Sequence, residues 1–501
     1  METPGAGRDS APLVSSHFVR DRWPIPVLIS IVLILPCFWH RHIEADDLGS
    51  HIYNAWLAQL VRQGRAPGLW VKHIWDNVLF DWMLSGFTFL FGFGLGEKIA
   101  VSMAVLLLFW SVFAFVSAIS RSAPWTLLPA MAMLVYGWTF QNGLFNYYLA
   151  IGLSFLALSI WCVAPGWNRL YALALTPLIF FAHPLGLGWF LGAALYIFMA
   201  ERVPQRLRVY LPAAAGLLLL LTHEFMWHPW HRFHFRVGDD GDSVLFYKIT
   251  GMDQLTIYDD NQYRLLGAAL FLFVTVCFLF EIVRRRTEKG YWSRWGVPLQ
   301  LYIVVELGIL LLPDIVHLPR YAAPISLLRQ RFGLVSAILI LALLGTLRKR
   351  AWHAVGFGLF ACVFFFLFYQ DTARINSIEA HAEQLVSGLP FGTRVMATIL
   401  LPAGTQPHSV AEVVDRACIE RCFAFGNYEP PSAQFRVRAL PGNGIVTTNY
   451  QDSADMEGGR YVVKPRDLPV YQVYRCSSLI TDLCMRKLEA GETNDRLGVH
   501  P

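Results

Sequence analysis

Residues 23–39 read WPIPVLISIVLILPCFW, an apolar run that is followed by the charged stretch EADDLGSH at 44–51. A run of this length is close to what an α-helix needs to cross a hydrocarbon core of about 30 Å. The run ends in the bulky residues Cys37, Phe38 and Trp39, without the small residues of a secretory cleavage site. We therefore predict a retained membrane anchor that follows a cytoplasmic tail at 1–22.

Further apolar runs recur as far as residue 370 in this chain of 501 residues, which is 55% hydrophobic and 15% charged. Because most of these runs have the length of a membrane helix, they predict an all-α polytopic membrane protein with about 11 transmembrane helices. The predicted transmembrane domain is 23–370, with spans near 23–39, 98–119, 125–141, 144–164, 169–183, 185–201, 209–223, 263–283, 297–314, 321–346 and 351–369.

Lysine and arginine lie mostly in short clusters between these runs, as at 201–208, 284–286 and 348–350. Such clusters orient a membrane protein with its positive loops in the cytoplasm, so nucleic acid is not an expected partner. Alternation from a cytoplasmic start places external loops at 41–97 and 224–262. The segment 77–96 is also apolar, but counting it as a span would move every later basic cluster to the other side of the membrane. We therefore interpret it as an amphipathic or re-entrant segment at the outer surface.

The tail at 371–501 loses the long apolar runs and is predicted to be an extracytoplasmic soluble domain of α+β type. Alternating residues at 444–448 and 469–474 predict strands. Four cysteines fall in this tail, and an oxidising compartment favours up to two disulfides among Cys418, Cys422, Cys476 and Cys484. The three possible pairings stay open, and the spacings are not those of a zinc ribbon.

The charged stretch carries Glu44, Asp46 and Asp47 directly outside the first span. Charges beside a bilayer persist mainly where they face water, a cavity or a ligand, which makes this stretch a candidate functional site. Apolar residues at helical spacing follow and predict a helix along the membrane, which Asp47 or Ser50 could cap. Asp47 and His51 are four residues apart and share a helix face if the helix begins early enough.

This combination resembles the GT-C membrane glycosyltransferases, a superfamily that includes protein mannosyltransferases, aminoarabinose transferases of lipid A and oligosaccharyltransferase catalytic subunits. The resemblance rests on the acidic pair Asp46-Asp47 after the first span, the interfacial helix, the stretch GRAPGLW at 64–70 and a second surface helix. It implies a membrane glycosyltransferase that moves a sugar from a polyprenyl-phosphate-linked donor to a lipid or glycan acceptor on the external face, with inversion. It also implies a carboxylate base, for which Asp47 is the first choice. Asp46 is the alternative, because this chain has Asp-Asp where the family commonly has Asp-Glu.

Arg320 and Tyr321 lie in an external turn at 312–324, and similar Arg-Tyr steps occur in GT-C proteins. An arginine there could hold a lipid phosphate through two parallel hydrogen bonds. The alternatives are an arginine that extends to lipid headgroups or one that pairs with Asp314.

Three further substrate-binding candidates lie near predicted outer turns, namely Glu224, Asn146 and His183. Glu224 could supply another acid. Asn146 stands where GT-C enzymes often have an acidic residue, which disfavours a metal-dependent mechanism, and His183 could equally be an interhelical hydrogen-bonding residue.

No cofactor is expected, and a divalent metal is the less favoured alternative. The histidines at 223, 228, 231 and 234 have spacings that match no standard site, and the turn at 239–242 is interpreted as a solvated loop rather than a calcium site.

The sequence leaves two rival functions open, a transporter or flippase for a lipid-linked saccharide and a non-catalytic assembly protein. The expected location is a cell membrane, most simply a bacterial inner membrane.

Overall fold

The computed structural model describes residues 23–228, 236–238, 250–258, 260–288, 291–402 and 409–495. The predicted tail at 1–22, the acidic turn at 239–242 and the histidines at 231 and 234 lie outside these residues.

The described chain is mostly helical. Up to residue 386 the helices are α1 Pro24–Ile34, α2 Leu48–Arg62, α3 Leu79–Ser120, α4 Leu128–Val135, α5 Trp138–Gln141, α6 Phe145–Val163, α7 Thr176–Ala182, α8 Pro184–Arg202, α9 Leu211–Trp227, α10 Asp260–Arg285, α11 Tyr291–Leu311, α12 Leu328–Gly345 and α13 Ala351–Val386.

Seven of the helical segments in the described residues are long and apolar enough to cross a membrane: Leu79–Ser120, Phe145–Val163, Pro184–Arg202, Arg208–Trp227, Asn261–Arg285, Leu328–Gly345 and Ala351–Val386. The shorter apolar segments Pro24–Cys37 and Trp295–Leu311 accompany them. The chain is thus an α-rich membrane protein, and the number of about 11 spans stays a prediction.

Two predicted spans are not continuous helices. The segment 125–141 is divided at Gly137, which has extended backbone angles between α4 and α5. A Cβ at this position would lie 2.2 Å from the carbonyl oxygen of Gln254, so the chain bends where two backbones touch. The segment 169–183 is a 3-10 helix, Gly166–Leu175, followed by the short α7, because Pro177 and Pro184 interrupt longer helices.

The long helix α3 contains a break at Gly92, whose φ of 77° lies in the left-handed region that favours glycine. The break separates 79–91 from the apolar remainder of α3. The segment 77–96 is therefore largely helical and leads directly into the helix predicted at 98–119.

Residues beyond 386 form a small sheet region with short helices. The helices are α14 Glu412–Ala417, α15 Glu429–Ser432 and α16 Tyr450–Glu457. The strands in the described residues are β1 Leu69–Val71, β2 Arg236–Gly238, β3 Ile315–His317, β4 Arg394–Thr398, β5 Phe423–Ala424, β6 Val437–Ala439, β7 Val470–Arg475 and β8 Leu483–Leu488. One sheet has the order β5-β4-β7-β8, in which β4 runs parallel to β5 and β7, and β8 runs antiparallel to β7.

The strand predicted at 469–474 is present as β7, whereas the one predicted at 444–448 is wrong. Residues 444–448 are irregular because the side-chain oxygen of Asn443 accepts the backbone N–H groups of Ile445 and Val446, both at 2.9 Å. An asparagine that holds the backbone in a turn in this way competes with strand pairing. Ile445 and Val446 are nevertheless buried, which explains their apolar pattern.

The two expected disulfides are present, and the structure pairs Cys418 with Cys422 and Cys476 with Cys484.

The tail packs closely on the segment 41–97. Strand β1 pairs antiparallel with β6, so that Trp70 lies opposite Arg438. Helix α13 runs without interruption through residue 370, the predicted end of the transmembrane domain. Its C-terminal part buries Ile378, Ala382 and Val386. Helix α2 is buried along most of its length.

Candidate functional site

The acidic stretch 44–47 leads into the buried helix α2, which begins at Leu48. Asp47 is the N-cap residue by position, but its side chain makes no capping hydrogen bond, and Ser50 lies inside the helix. The expectation that Asp47 or Ser50 caps the helix is therefore wrong. Instead, Oδ1 of Asp47 accepts a hydrogen bond of 2.6 Å from the hydroxyl of Tyr428, a tail residue.

Asp46 precedes Asp47 with a φ of 20°, at the edge of the left-handed region. Gly143 approaches this turn closely, since a Cβ on it would lie 2.7 Å from both the Ala45 oxygen and the Asp47 Cβ. Burial raises the pKa of Asp46 well above its usual value, and the charges of Asp47 and Glu457 raise it further. The Asp46 carboxyl group therefore holds its proton more tightly than an exposed aspartate does.

His51 is held between two carboxylates on the other side of Asp47. Its Nδ1 lies 3.1 Å from Asp81 Oδ1 and 3.3 Å from Glu429 Oε1, and all three side chains are buried. Burial alone would lower the pKa of His51, but the charges of Asp81, Glu429 and Asp47 outweigh it and raise the pKa to about 10. The imidazole is therefore a cation at neutral pH.

Asn146 belongs to the same buried group. Its Nδ2 donates to Asp81 Oδ2 at 2.8 Å, and its Oδ1 accepts from the backbone N–H of Phe80, also at 2.8 Å. The amide fixes the start of α3 and the orientation of Asp81, which in turn holds His51.

Asp47 lies among several charges with opposing effects. Burial raises its pKa, while the charge of His51, the hydrogen bond from Tyr428 and the charge of Arg331 lower it. The net direction is upward. A carboxylate with a raised pKa that retains cationic neighbours has the properties of a general base.

Arg331 in α12 is a cation whose charge acts on Asp47. Its guanidinium lies over the Tyr147 ring at 5.6 Å, and its Nη1 lies 3.4 Å from Nε2 of His183. Its Nε is buried without a hydrogen-bond partner in the described part of the chain. Burial and the charge of Arg331 hold the pKa of His183 well below its usual value, so this histidine is neutral.

His183 also caps α8, because its Nδ1 accepts from the backbone N–H of Leu185 at 3.1 Å. This contact and the one to Arg331 fit the alternative interpretation of His183 as an interhelical hydrogen-bonding residue.

The predicted residues Arg320, Tyr321 and Glu224 lie elsewhere. Arg320 is exposed, with its guanidinium 4.6 Å from the centre of the Tyr321 ring, and Glu224 is exposed near the end of α9. Asp314, the alternative partner considered for Arg320, forms an ion pair with Arg329 at 3.4 Å. The structure thus brings together Asp46, Asp47, His51 and Asn146, with His183 joined to them through Arg331.

Sequence reasoning missed Tyr428, Glu429 and Arg331. The first two come from the tail, more than 370 residues from their partners, and no local pattern marks them. Arg331 did carry a signal, because Arg329 and Arg331 fall inside the predicted span 321–346, where an ionisable residue points to function.

Further tail acids surround the site. Asp415 accepts from Asn427 Nδ2 at 2.6 Å, and burial raises its pKa to about 7. Burial raises the pKa of Glu412, and the charges of Asp46 and Glu457 raise it further. Within the described ranges, no group of three or more His, Cys, Asp or Glu side chains could hold a metal ion.

No protein family model, no curated protein and no solved structure matches this chain.

Proposed function

We propose that this protein is a membrane glycosyltransferase that transfers a sugar from a polyprenyl-phosphate donor to a hydroxyl acceptor at the outer surface of a cell membrane. The observation that carries the proposal is Asp47, a half-buried carboxylate fixed by Tyr428 and facing the charges of His51 and Arg331.

Asp47 is the preferred base, ahead of Asp46. Both carboxyl groups have raised pKa values, but the pKa of Asp46 is raised further. The described charges that shift the pKa of Asp46 are those of acids, whereas those acting on Asp47 include two cations. A general base must be ionised in the resting enzyme. The charges of His51 and Arg331 and the Tyr428 hydroxyl favour that state at Asp47.

The proposed step is a single displacement. Asp47 removes the proton of the acceptor hydroxyl as its oxygen attacks the anomeric carbon, and the bond from this carbon to the donor's phosphate oxygen breaks. The leaving phosphate keeps the bonding electron pair, and the configuration at carbon inverts. Arg331 would stabilise the negative charge that develops on this phosphate.

An apolar groove supports a lipid-linked donor. Its lining includes Met252, Leu255, Leu270, Ala337 and Ile340, from α10, α12 and the 3-10 helix Met252–Leu255. That 3-10 helix also reaches the charged site, because Gln254 Nε2 donates to the backbone oxygen of Gln330, the neighbour of Arg331, at 3.1 Å. A prenyl chain in this groove would place its phosphate towards Arg331.

The test uses the purified full chain with a panel of radiolabelled polyprenyl-phosphate sugars, measuring donor binding and sugar transfer separately. Asp47→Asn should reduce transfer by about 10²-fold or more while donor affinity is kept, because general bases contribute at that level. Asp46→Asn should have a much smaller effect. Asp455→Asn, which removes a carboxylate 3.4 Å from Arg460 in the tail, is the control.

Full transfer by both Asp47→Asn and Asp46→Asn would exclude the proposed base. Donor binding by the wild-type protein without transfer to any acceptor would favour a transporter or an assembly protein.

A further inference from the structure

The turn at 312–324 and the tail meet along a seam outside the Asp47 site. The backbone N–H of Ala322 donates to the Ser432 oxygen at 2.9 Å, and Gln434 Nε2 donates to the Ala323 oxygen at 2.7 Å. The next tail residues enter β6, which pairs with β1. The seam thus brings three arginines, Arg320, Arg436 and Arg438, into one region.

Arg438 is a buried cation that forms no ion pair within the described residues. Only 7% of the residue is exposed, and its Nη1 has no hydrogen-bond partner among the described residues. The groups whose charges face it are Tyr321 and Glu429. An unpaired buried charge costs several kcal/mol, so its retention requires an explanation.

Arg436 shares the face of Arg438, since residues two apart in an extended strand point to the same side. It is 5% exposed, and its Nη2 donates to Ser85 Oγ at 2.5 Å, while its Nε has no partner in the described chain. The charged groups facing it are Asp81, Glu429 and Arg62.

The neighbouring carboxyl groups do not neutralise these arginines. Asp81 is already in contact with the imidazolium of His51. Burial raises the pKa of Glu429 to about 8, and its Oε1 already lies 3.3 Å from Nδ1 of His51. The two carboxyl groups Asp81 and Glu429 therefore face three cations, namely His51, Arg436 and Arg438.

Arg320 closes the seam from the solvent side. It is exposed with its guanidinium over Tyr321, and the Tyr321 phenol faces the charges of Asp76, Arg320 and Arg438. Arg438 is thus buried, while Arg320 is exposed. Planar guanidinium groups in such a pair match the oxygen spacing of a phosphate group.

We infer that Arg438 and Arg320 form a binding site for a phosphate-type oxyanion at this seam, separate from Asp47 and Arg331. Arg436 and His51 contribute long-range positive potential. The oxyanion could belong to a lipid headgroup or to a free phosphate, because both offer the same oxygens. The inference does not depend on the proposed transfer reaction.

The experiment measures binding by the purified full chain in two arms. In the first, equilibrium dialysis measures labelled inorganic phosphate binding to protein in phosphatidylcholine nanodiscs. In the second, the protein binds vesicles of phosphatidylcholine with or without phosphatidic acid. Arg438→Gln and Arg320→Gln are compared with Arg460→Gln, which removes the same charge from an exposed tail position, and with Arg331→Gln.

We expect Arg438→Gln to weaken binding at least tenfold and Arg320→Gln to weaken it severalfold, with Arg460→Gln unchanged. A loss confined to Arg331→Gln would instead assign the anion to the proposed donor site and overturn the inference. If the arginine variants bind inorganic phosphate more weakly than wild type, the ligand is a free phosphate. If they differ from wild type only on vesicles with phosphatidic acid, the ligand is a lipid headgroup. If Arg438→Gln does not fold, the exposed Arg320→Gln and the charge-preserving Arg438→Lys decide the question. Equal binding by the Arg320, Arg438 and Arg460 variants in both arms, or no binding by the wild-type protein, overturns the inference. Asp47→Asn should bind the anion normally, so that failure of the transfer proposal is distinguishable.

Discussion

The Tyr428 hydroxyl donates a 2.6 Å hydrogen bond to Oδ1 of Asp47, joining two residues 381 positions apart in the chain. The tail thereby supports a carboxylate that belongs to the segment 41–97. Directly after Tyr428, Glu429 contacts His51 in α2. Two successive tail residues therefore hold the start of α2.

Replacing Tyr428 with phenylalanine should raise the pKa of Asp47, because the hydrogen bond stabilises the ionised form. A hydrogen bond to a charged group contributes about 1.5–3 kcal/mol, equivalent to a shift of roughly 1–2 pH units. The acid limb of the pH–rate profile for sugar transfer should therefore move to higher pH by a similar amount. Donor KM should change little, since Tyr428 acts through Asp47.

Tyr461 offers a matched control, because it is buried and its hydroxyl donates a 2.6 Å bond to Asp467 rather than to Asp47. Tyr461→Phe should leave the pH profile in place. If both variants keep the wild-type acid limb, Tyr428 does not tune the base.

Substitution of Gly143 by alanine should displace the acidic turn. Gly143 has a φ of 66°, and a Cβ there would lie 2.7 Å from Asp47 Cβ. We expect a loss of roughly 1–3 kcal/mol in unfolding free energy from overpacking, and reduced transfer without reduced donor binding. Thermal unfolding in detergent and the transfer assay measure the two effects.

Gly64→Ala isolates the contribution of backbone strain. Gly64 has a similar φ of 69°, but nothing lies within 4 Å of its added Cβ. This variant should lose about 1–2 kcal/mol at most and keep its transfer rate. Identical behaviour of the two variants would mean that the turn tolerates the methyl group.

The His51 cluster should make stability fall as pH rises. The pKa of His51 is about 10 in the folded protein and about 6.5 in an unfolded chain, so the folded state binds the proton more tightly. The resulting stability is fully present below about pH 6.5 and is lost as pH rises to about 10. Its upper limit is about 1.4 kcal/mol per pH unit, and unfolding followed by intrinsic fluorescence from pH 6 to 10 measures it.

His51→Gln should be less stable than wild type at pH 6.5 and should lose most of this pH dependence. The control is His381→Gln in the tail, whose ring nitrogen lies 2.9 Å from the Thr481 oxygen. A wild-type slope in His51→Gln would show that other groups cause the dependence.

Local sequence was sufficient to predict features that depend on neighbours along the chain. Asp46 and Asp47 precede a helix, and Val470 to Tyr474 form a strand, because periodicity and charge decide such elements locally. The four tail cysteines also form the two expected disulfides.

Features set by distant contacts could not be predicted in the same way. Gly137 ends α4 because the backbone of Gln254 touches it, and Asn443 prevents a strand that the apolar alternation favours. Tyr428 reaches Asp47 only because the tail folds back on the first loop. Tertiary packing thus overrides the local pattern at the places where the candidate site is assembled.

Arg416 is the buried link between the tail and the helices, and its removal should destabilise the protein strongly. Its Nη1 lies 2.9 Å from Glu379 Oε2, and its Nη2 lies 3.0 Å from both Glu97 Oε1 and the Ile43 oxygen. Arg416→Gln would leave buried carboxylates without their cation, which typically costs about 3–5 kcal/mol. Because Ile43 directly precedes the acidic stretch, transfer should fall as well.

The contrast with an exposed ion pair makes this prediction specific. Arg169 contacts Glu201 at 3.0 Å, but 44% of the Glu201 side chain is exposed, so water screens the pair. Arg169→Gln should therefore cost no more than about 1 kcal/mol. Thermal unfolding of both variants in the same detergent compares the two environments directly. Equal unfolding temperatures would mean that Arg416 is not a buried counter-ion and that the tail is held by apolar packing alone.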